Sequence, residues 1–205
     1  MNESVKNILF FTLRVLLYAV LMVVLNIVYM HDATHVTSTG KFGENSWTEI
    51  LQETFLFLLG ILFILIGRRD RDLTVVSNLG SVFFFIAFIR EFNNQISFWP
   101  ILEIPLILIL FWFLVRDRKK LIPSIDRFLK NPAIPWFVIG FLVTFIFSRL
   151  FGRTGLWENL LGDNYNRWVK NAAEEGIELL GYSLLFIAGI ELFVQTFKNR
   201  QLPKE

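Results

Sequence analysis

Apolar residues fall in long unbroken stretches along this chain, and polar residues gather in short clusters between them. Six stretches stand out, at about 7–30, 47–67, 73–91, 98–115, 133–151 and 172–197. Each is close to the roughly 20 residues that an α-helix needs to cross the hydrocarbon layer of a bilayer. The stretches are continuous where the strands of a barrel would alternate, and a helix satisfies its own backbone inside lipid. The expected fold is therefore all-α: a polytopic bundle of six transmembrane helices, forming a single transmembrane domain over 1–205. The first stretch reads as a retained helix, because Arg14 interrupts it, its apolar length exceeds that of a leader core and no small-residue cleavage pattern follows.

Two linkers carry helical periodicity of their own. Leu121, Ile122, Ile125, Phe128 and Leu129 alternate with Lys119, Lys120, Asp126, Arg127 and Lys130, the pattern of a short helix lying in a membrane interface. Trp157, Leu160, Leu161, Trp168 and Val169 suggest a second interfacial segment, anchored by tryptophan.

Composition agrees with this reading. Of 205 residues, 54% are hydrophobic and 23 are Phe. Only 19% are charged, against about 25% in soluble domains. Disordered, collagen-like, coiled-coil and disulfide-scaffold classes are excluded by this composition, and a water-soluble globule by the recurring apolar runs. The absence of Cys removes disulfides, thiolate catalysis and cysteine-based metal sites.

The net charge of +2 does not point to nucleic acid, because the basic residues sit between the apolar stretches. Thirteen Lys and Arg fall on one side: Lys6, Arg68, Arg69, Arg71, the group from Arg116 to Lys130, and the tail from Lys198 to Lys204. Only four, Lys41, Arg153, Arg167 and Lys170, fall on the other. The positive-inside bias then places both termini in the cytoplasm. The short loops and tails suit a bacterial inner-membrane protein.

Charges inside spans are costly, so each needs a reason. In this topology ten ionisable residues from five helices approach the outer leaflet: Glu49, Glu53, Arg90, Glu91, Glu103, Arg149, Arg153, Glu174, Glu175 and Glu178. Ser46 and Glu49 fit a capping box, and Asn171 with Glu174 repeats its spacing. Setting Glu49 and Glu174 aside as caps leaves five acids against three bases. In a low-dielectric setting such an excess is removed by protonation or by a bound cation. Glu53, Arg90, Glu91, Glu103, Arg149, Glu175 and Glu178 are thus the candidate ligand or proton site, with Tyr182 on the same stripe as Glu175 and Glu178. Ser77, Asn78 and Ser81 add hydrogen-bonding groups on the third span, and Pro105 predicts a kink beside Glu103. Toward the cytoplasmic side, Arg14 and Glu191 are expected to pair and join the first helix to the last.

Three functions follow as expectations. The first is binding or transport of a proton, a cation or a small polar solute, with the bilayer as the other partner. The second is a metal-dependent hydrolase using His31, Asp32 and His35 with Glu residues from other helices, since histidines at i and i+4 share a helical face. The third is a structural or sensor subunit whose charges are architectural.

Glu174-Glu175 resembles the paired glutamates of intramembrane CAAX-type proteases. That pattern has an arginine where Glu178 stands, and histidines on later helices that this chain lacks. No spanning stretch holds the histidines of alkaline-ceramidase-like hydrolases or of haem-binding cytochromes, and no phosphate loop, dinucleotide fingerprint or Ser-His-Asp set occurs.

Overall fold

Six helices long and apolar enough to cross a membrane make up most of the computed structural model. It describes residues 2–36, 40–43, 45–91 and 98–199. Residues 37–39 of the polar loop and the tail residues Arg200 and Lys204 lie outside them. No strand occurs among the described residues. In chain order the helices are α1 (Glu3–Thr34), α2 (Trp47–Arg69), α3 (Thr74–Glu91), α4 (Trp99–Arg116), α5 (Arg118–Leu129), α6 (Ile134–Leu142), α7 (Ser148–Phe151), α8 (Thr154–Leu161) and α9 (Arg167–Asn199). A π turn over Val143–Phe147 joins α6 and α7 into one helix long and apolar enough to cross a membrane. The first amphipathic helix anticipated from periodicity is α5; of the second expected segment, Trp157, Leu160 and Leu161 lie on α8, whereas Trp168 and Val169 belong to the first turn of α9.

The long helices extend past the apolar stretches where side chains cap them. Asn2 accepts the Ser4 amide at the start of α1. At the far end of α1 the Thr34 hydroxyl donates to the His31 carbonyl at 2.9 Å. The last helix starts at Arg167, not near residue 172, because Asn166 Oδ1 accepts the Trp168 amide at 2.9 Å. Asn171 therefore lies inside α9 and caps nothing; Glu174 instead receives Lys170 at 3.1 Å. The fourth helix runs unbroken through Pro105.

The core forms around α2, which packs between α3 and α9, with α6 on the other flank of α9. Leu56, Leu59, Phe63 and Ile66 of α2 are buried against Phe84 of α3 and Leu185 and Leu192 of α9. Phe63 lies 5.3 Å from Phe84, 5.7 Å from Phe137 and 6.4 Å from Phe128 between ring centroids, so one aromatic cluster joins α2, α3, α5 and α6. The α6–π–α9 contact is closer. A Cβ on Gly181 would lie 2.1 Å from Thr144 Oγ1 and 2.8 Å from Thr144 N, and one on Gly140 would lie 2.8 Å from Leu185 N. Small residues allow this backbone approach, as in packed membrane helices.

Helices α1 and α4 stand at the periphery. Leu25 and Asp32 are the buried residues of α1, and α4 has none. Phe11 is 65% and Ile101 69% exposed, an arrangement that water would penalise and lipid would not. Polar clasps hold α1 instead. Arg14 pairs with Glu191, Tyr18 donates to the same carboxylate, and Tyr29 donates to the Ala172 carbonyl at 2.6 Å. The pairing of Arg14 with Glu191 expected from sequence is present.

Candidate acidic site between α2, α3, α7 and α9

The first turn of α2 is fixed from two directions. Ser46 Oγ accepts the Glu49 amide at 3.2 Å, and Glu49 Oε2 accepts the Asn45 amide at 2.6 Å. The box thus closes on Asn45, one residue before the Ser46 amide that the motif predicts. Asp32 of α1 supplies the second cap. Its Oδ2 accepts both the Thr48 amide and the Thr48 hydroxyl at 2.7 Å, and Oδ1 accepts the Trp47 amide at 3.3 Å. Negative charge at a helix N-terminus is favourable, so a buried aspartate is stable here.

With that turn fixed, the following residues of α2 face α9. The buried Gln52 donates from Nε2 to Glu175 Oε2 at 3.0 Å and to the Glu175 carbonyl at 3.2 Å. Glu53 is 8% exposed, and its Oε1 is buried without a hydrogen-bond partner. The charges of Glu49 and Glu91 lie within Coulombic reach of it. Tyr182 of α9 donates to Glu91 Oε1 at 2.9 Å, which ties the end of α3 into the same cluster.

The other wall comes from the segment after the π turn. A π turn inserts one residue into the helical ladder, and such insertions are common at functional sites. Here Ser148 and Arg149 follow the turn directly and meet Glu178. The Arg149 guanidinium is 3.3 Å from Glu178 Oε1. Ser148 Oγ lies 2.5 Å from the Thr144 carbonyl and 3.0 Å from the same Glu178 oxygen. A serine hydroxyl has one proton for these two acceptors. When Ser148 donates to the carbonyl, its contact with Glu178 is a hydrogen bond only if Glu178 carries a proton.

Five of the seven residues expected in the ligand site come together: Glu53, Glu91, Arg149, Glu175 and Glu178. The other two stand apart. Arg90 is exposed on the last turn of α3, and Glu103 is half-buried on the peripheral α4; neither forms an ion pair or hydrogen bond among the described residues. Arg153 is exposed just before α8. The cluster thus holds four of the expected carboxyl groups and one guanidinium, which pairs with Glu178.

His31 and His35 stack with ring centroids 4.0 Å apart, and His35 Nδ1 lies 2.9 Å from the His31 carbonyl oxygen. Asp32 caps α2, as above, and its Oδ1 also lies 3.4 Å from His31 Nδ1. No group of three or more His, Asp or Glu side chains placed to hold a metal ion occurs among the described residues.

Sequence reasoning missed Gln52 and Ser148. Gln52 had a signal, since it lies three residues after Glu49 on the face shared with Glu53. Ser148 had none, because the π turn that aims it is not readable from periodicity. No family model, curated protein or solved structure matches the chain.

Proposed function

We propose that this chain spans a bilayer six times as one transmembrane domain. In this reading it sits in a bacterial inner membrane with both termini in the cytoplasm, and α5 and α8 lie in the two interfaces. The exposed apolar faces of α1 and α4 and the segregation of Lys and Arg support it.

The acidic cluster then sits near the outer surface and binds a proton or a small cation, as part of a transport or sensing cycle. The observation that carries this reading is the buried, unpartnered Oε1 of Glu53 beside the Glu91 charge. Buried polar atoms are almost always satisfied, and an acceptor with no donor is completed by a proton on itself, a cation or water. The surplus of carboxyl groups favours the first two. Arg149 balances only Glu178, and Gln52 holds Glu175 with neutral donors.

The test is calorimetric titration of the purified protein in detergent with Na⁺, K⁺ and Ca²⁺, together with proton uptake into proteoliposomes measured by an enclosed pH dye. Wild type is expected to show one of these responses, and Glu53→Gln at normal yield to reduce it at least about tenfold. A wild type silent in both assays, or a Glu53→Gln variant indistinguishable from it, refutes the assignment.

A further inference from the structure

At the opposite end of the bundle, the turn into α3 and the amphipathic α5 enclose a cleft of about 590 Å³. Arg71, Arg116, Lys119, Lys120 and Arg127 line it, with Asp72 and Asp117 as its acids. The bases are not equally occupied. Arg116 is bound by Asp117 at 2.6 Å and lies over the Trp112 ring, and Arg127 reaches Asp70 at 3.8 Å. The side chains of Arg71, Lys119 and Lys120 form no ion pair or hydrogen bond among the described residues. At the floor, the buried Ser124 accepts the Val76 amide at 3.3 Å, and its own proton has no acceptor among the described residues. Three uncommitted cations and a free hydroxyl proton thus converge on one concave space. Asp72 and Asp117 leave a positive balance in it.

The surroundings restrict what enters. Ile122 and Leu129 on the outward side of α5 are 76% and 60% exposed, so α5 presents an apolar edge beside its basic one. A ligand with a phosphate head and an acyl body matches both, and basic pockets beside spanning helices on the cytoplasmic face suit such heads.

We infer that this cleft binds a phosphomonoester group, carried in the membrane by an anionic phospholipid, with Arg71, Lys119 and Lys120 holding the phosphate oxygens and Ser124 donating from below. The inference rests on the membrane-spanning reading. Alkaline carbonate that strips the chain from membranes ends both; a failed lipid titration of a carbonate-resistant protein ends this one alone.

The experiment titrates the full chain in detergent with dioctanoyl phosphatidic acid, dioctanoyl phosphatidylcholine and inorganic phosphate by calorimetry. Phosphatidic acid is expected to bind at least about tenfold tighter than phosphatidylcholine. Lys120→Gln is expected to erase most of that preference, while Arg118→Gln, which removes the same charge outside the cleft, keeps it. Inorganic phosphate binding as tightly as phosphatidic acid supports the phosphate site and assigns it to a soluble ester. Equal binding of both lipids with no response to phosphate overturns the inference, and needs no variant to read. Equal weakening by Arg118→Gln and Lys120→Gln overturns it too, because diffuse surface charge then accounts for the affinity.

Discussion

Tyr182 on α9 donates its hydroxyl to Glu91 on α3 at 2.9 Å, from a side chain only 1% exposed. The pair bridges helices that lie on opposite flanks of α2, so it closes the acidic cluster around Glu53.

Tyr182→Phe removes that bond and leaves the ring in place. The loss of stability is expected to be modest, about 0.5–1.5 kcal/mol in detergent unfolding. Tyr182→Ala also empties a core position and is expected to cost about 3–5 kcal/mol. A Phe variant as damaged as Ala contradicts the division between bond and packing.

Gly181→Ala places a methyl group 2.8 Å from a backbone nitrogen, which cannot swing aside as a side chain can. Overpacking of about 1–3 kcal/mol or more is expected, with α9 displaced from the π turn. Gly155 in α8 has nothing within 4 Å of a Cβ. Gly155→Ala is therefore neutral or stabilising by up to about 1 kcal/mol. Thermal unfolding of the two variants side by side reads the contrast.

Asp32→Ala leaves the Thr48 amide and hydroxyl without their acceptor. A loss of about 0.5–2 kcal/mol is expected, as for other helix caps. His35→Ala, whose ring is exposed and stacks on His31, is expected to leave stability and any bound-metal content unchanged. A metal that copurifies with wild type and disappears in His35→Ala restores the hydrolase reading.

The Arg14–Glu191 contact is best measured by a double-mutant cycle with Arg14→Ala and Glu191→Gln. Polar contacts between membrane helices average about 0.6 kcal/mol with a maximum near 1.7. A coupling within that range is expected, because Tyr18 still donates to position 191 when the arginine is gone. Zero coupling dissociates α1 from this contact.

Much of the architecture was legible because length and apolarity are one-dimensional properties. All six long apolar helices and the amphipathic α5 follow from runs and periods alone, while the second amphipathic segment was run on past the end of α8 into α9. The Arg14–Glu191 pair was legible for a related reason: two charges stranded at similar depth have few other partners. Depth also brought Glu53, Glu91, Arg149, Glu175 and Glu178 together on paper. It failed for Arg90 and Glu103 because depth fixes height in the bundle and leaves the direction around each helix open. Arg90 turns outward at a helix end, and Glu103 rides on a helix that buries no residue. The start of α9 was misplaced because Asn166 begins the helix before hydrophobicity rises.

The clasps on α1 also set an order of events during synthesis. Glu191 lies 173 residues beyond Tyr18, and Ala172 lies 143 residues beyond Tyr29. A ribosome therefore releases α1 long before either anchor exists. Until α9 emerges, the near anchor of α1 is Asp32, whose partners Trp47 and Thr48 on α2 follow it by only 15 and 16 residues.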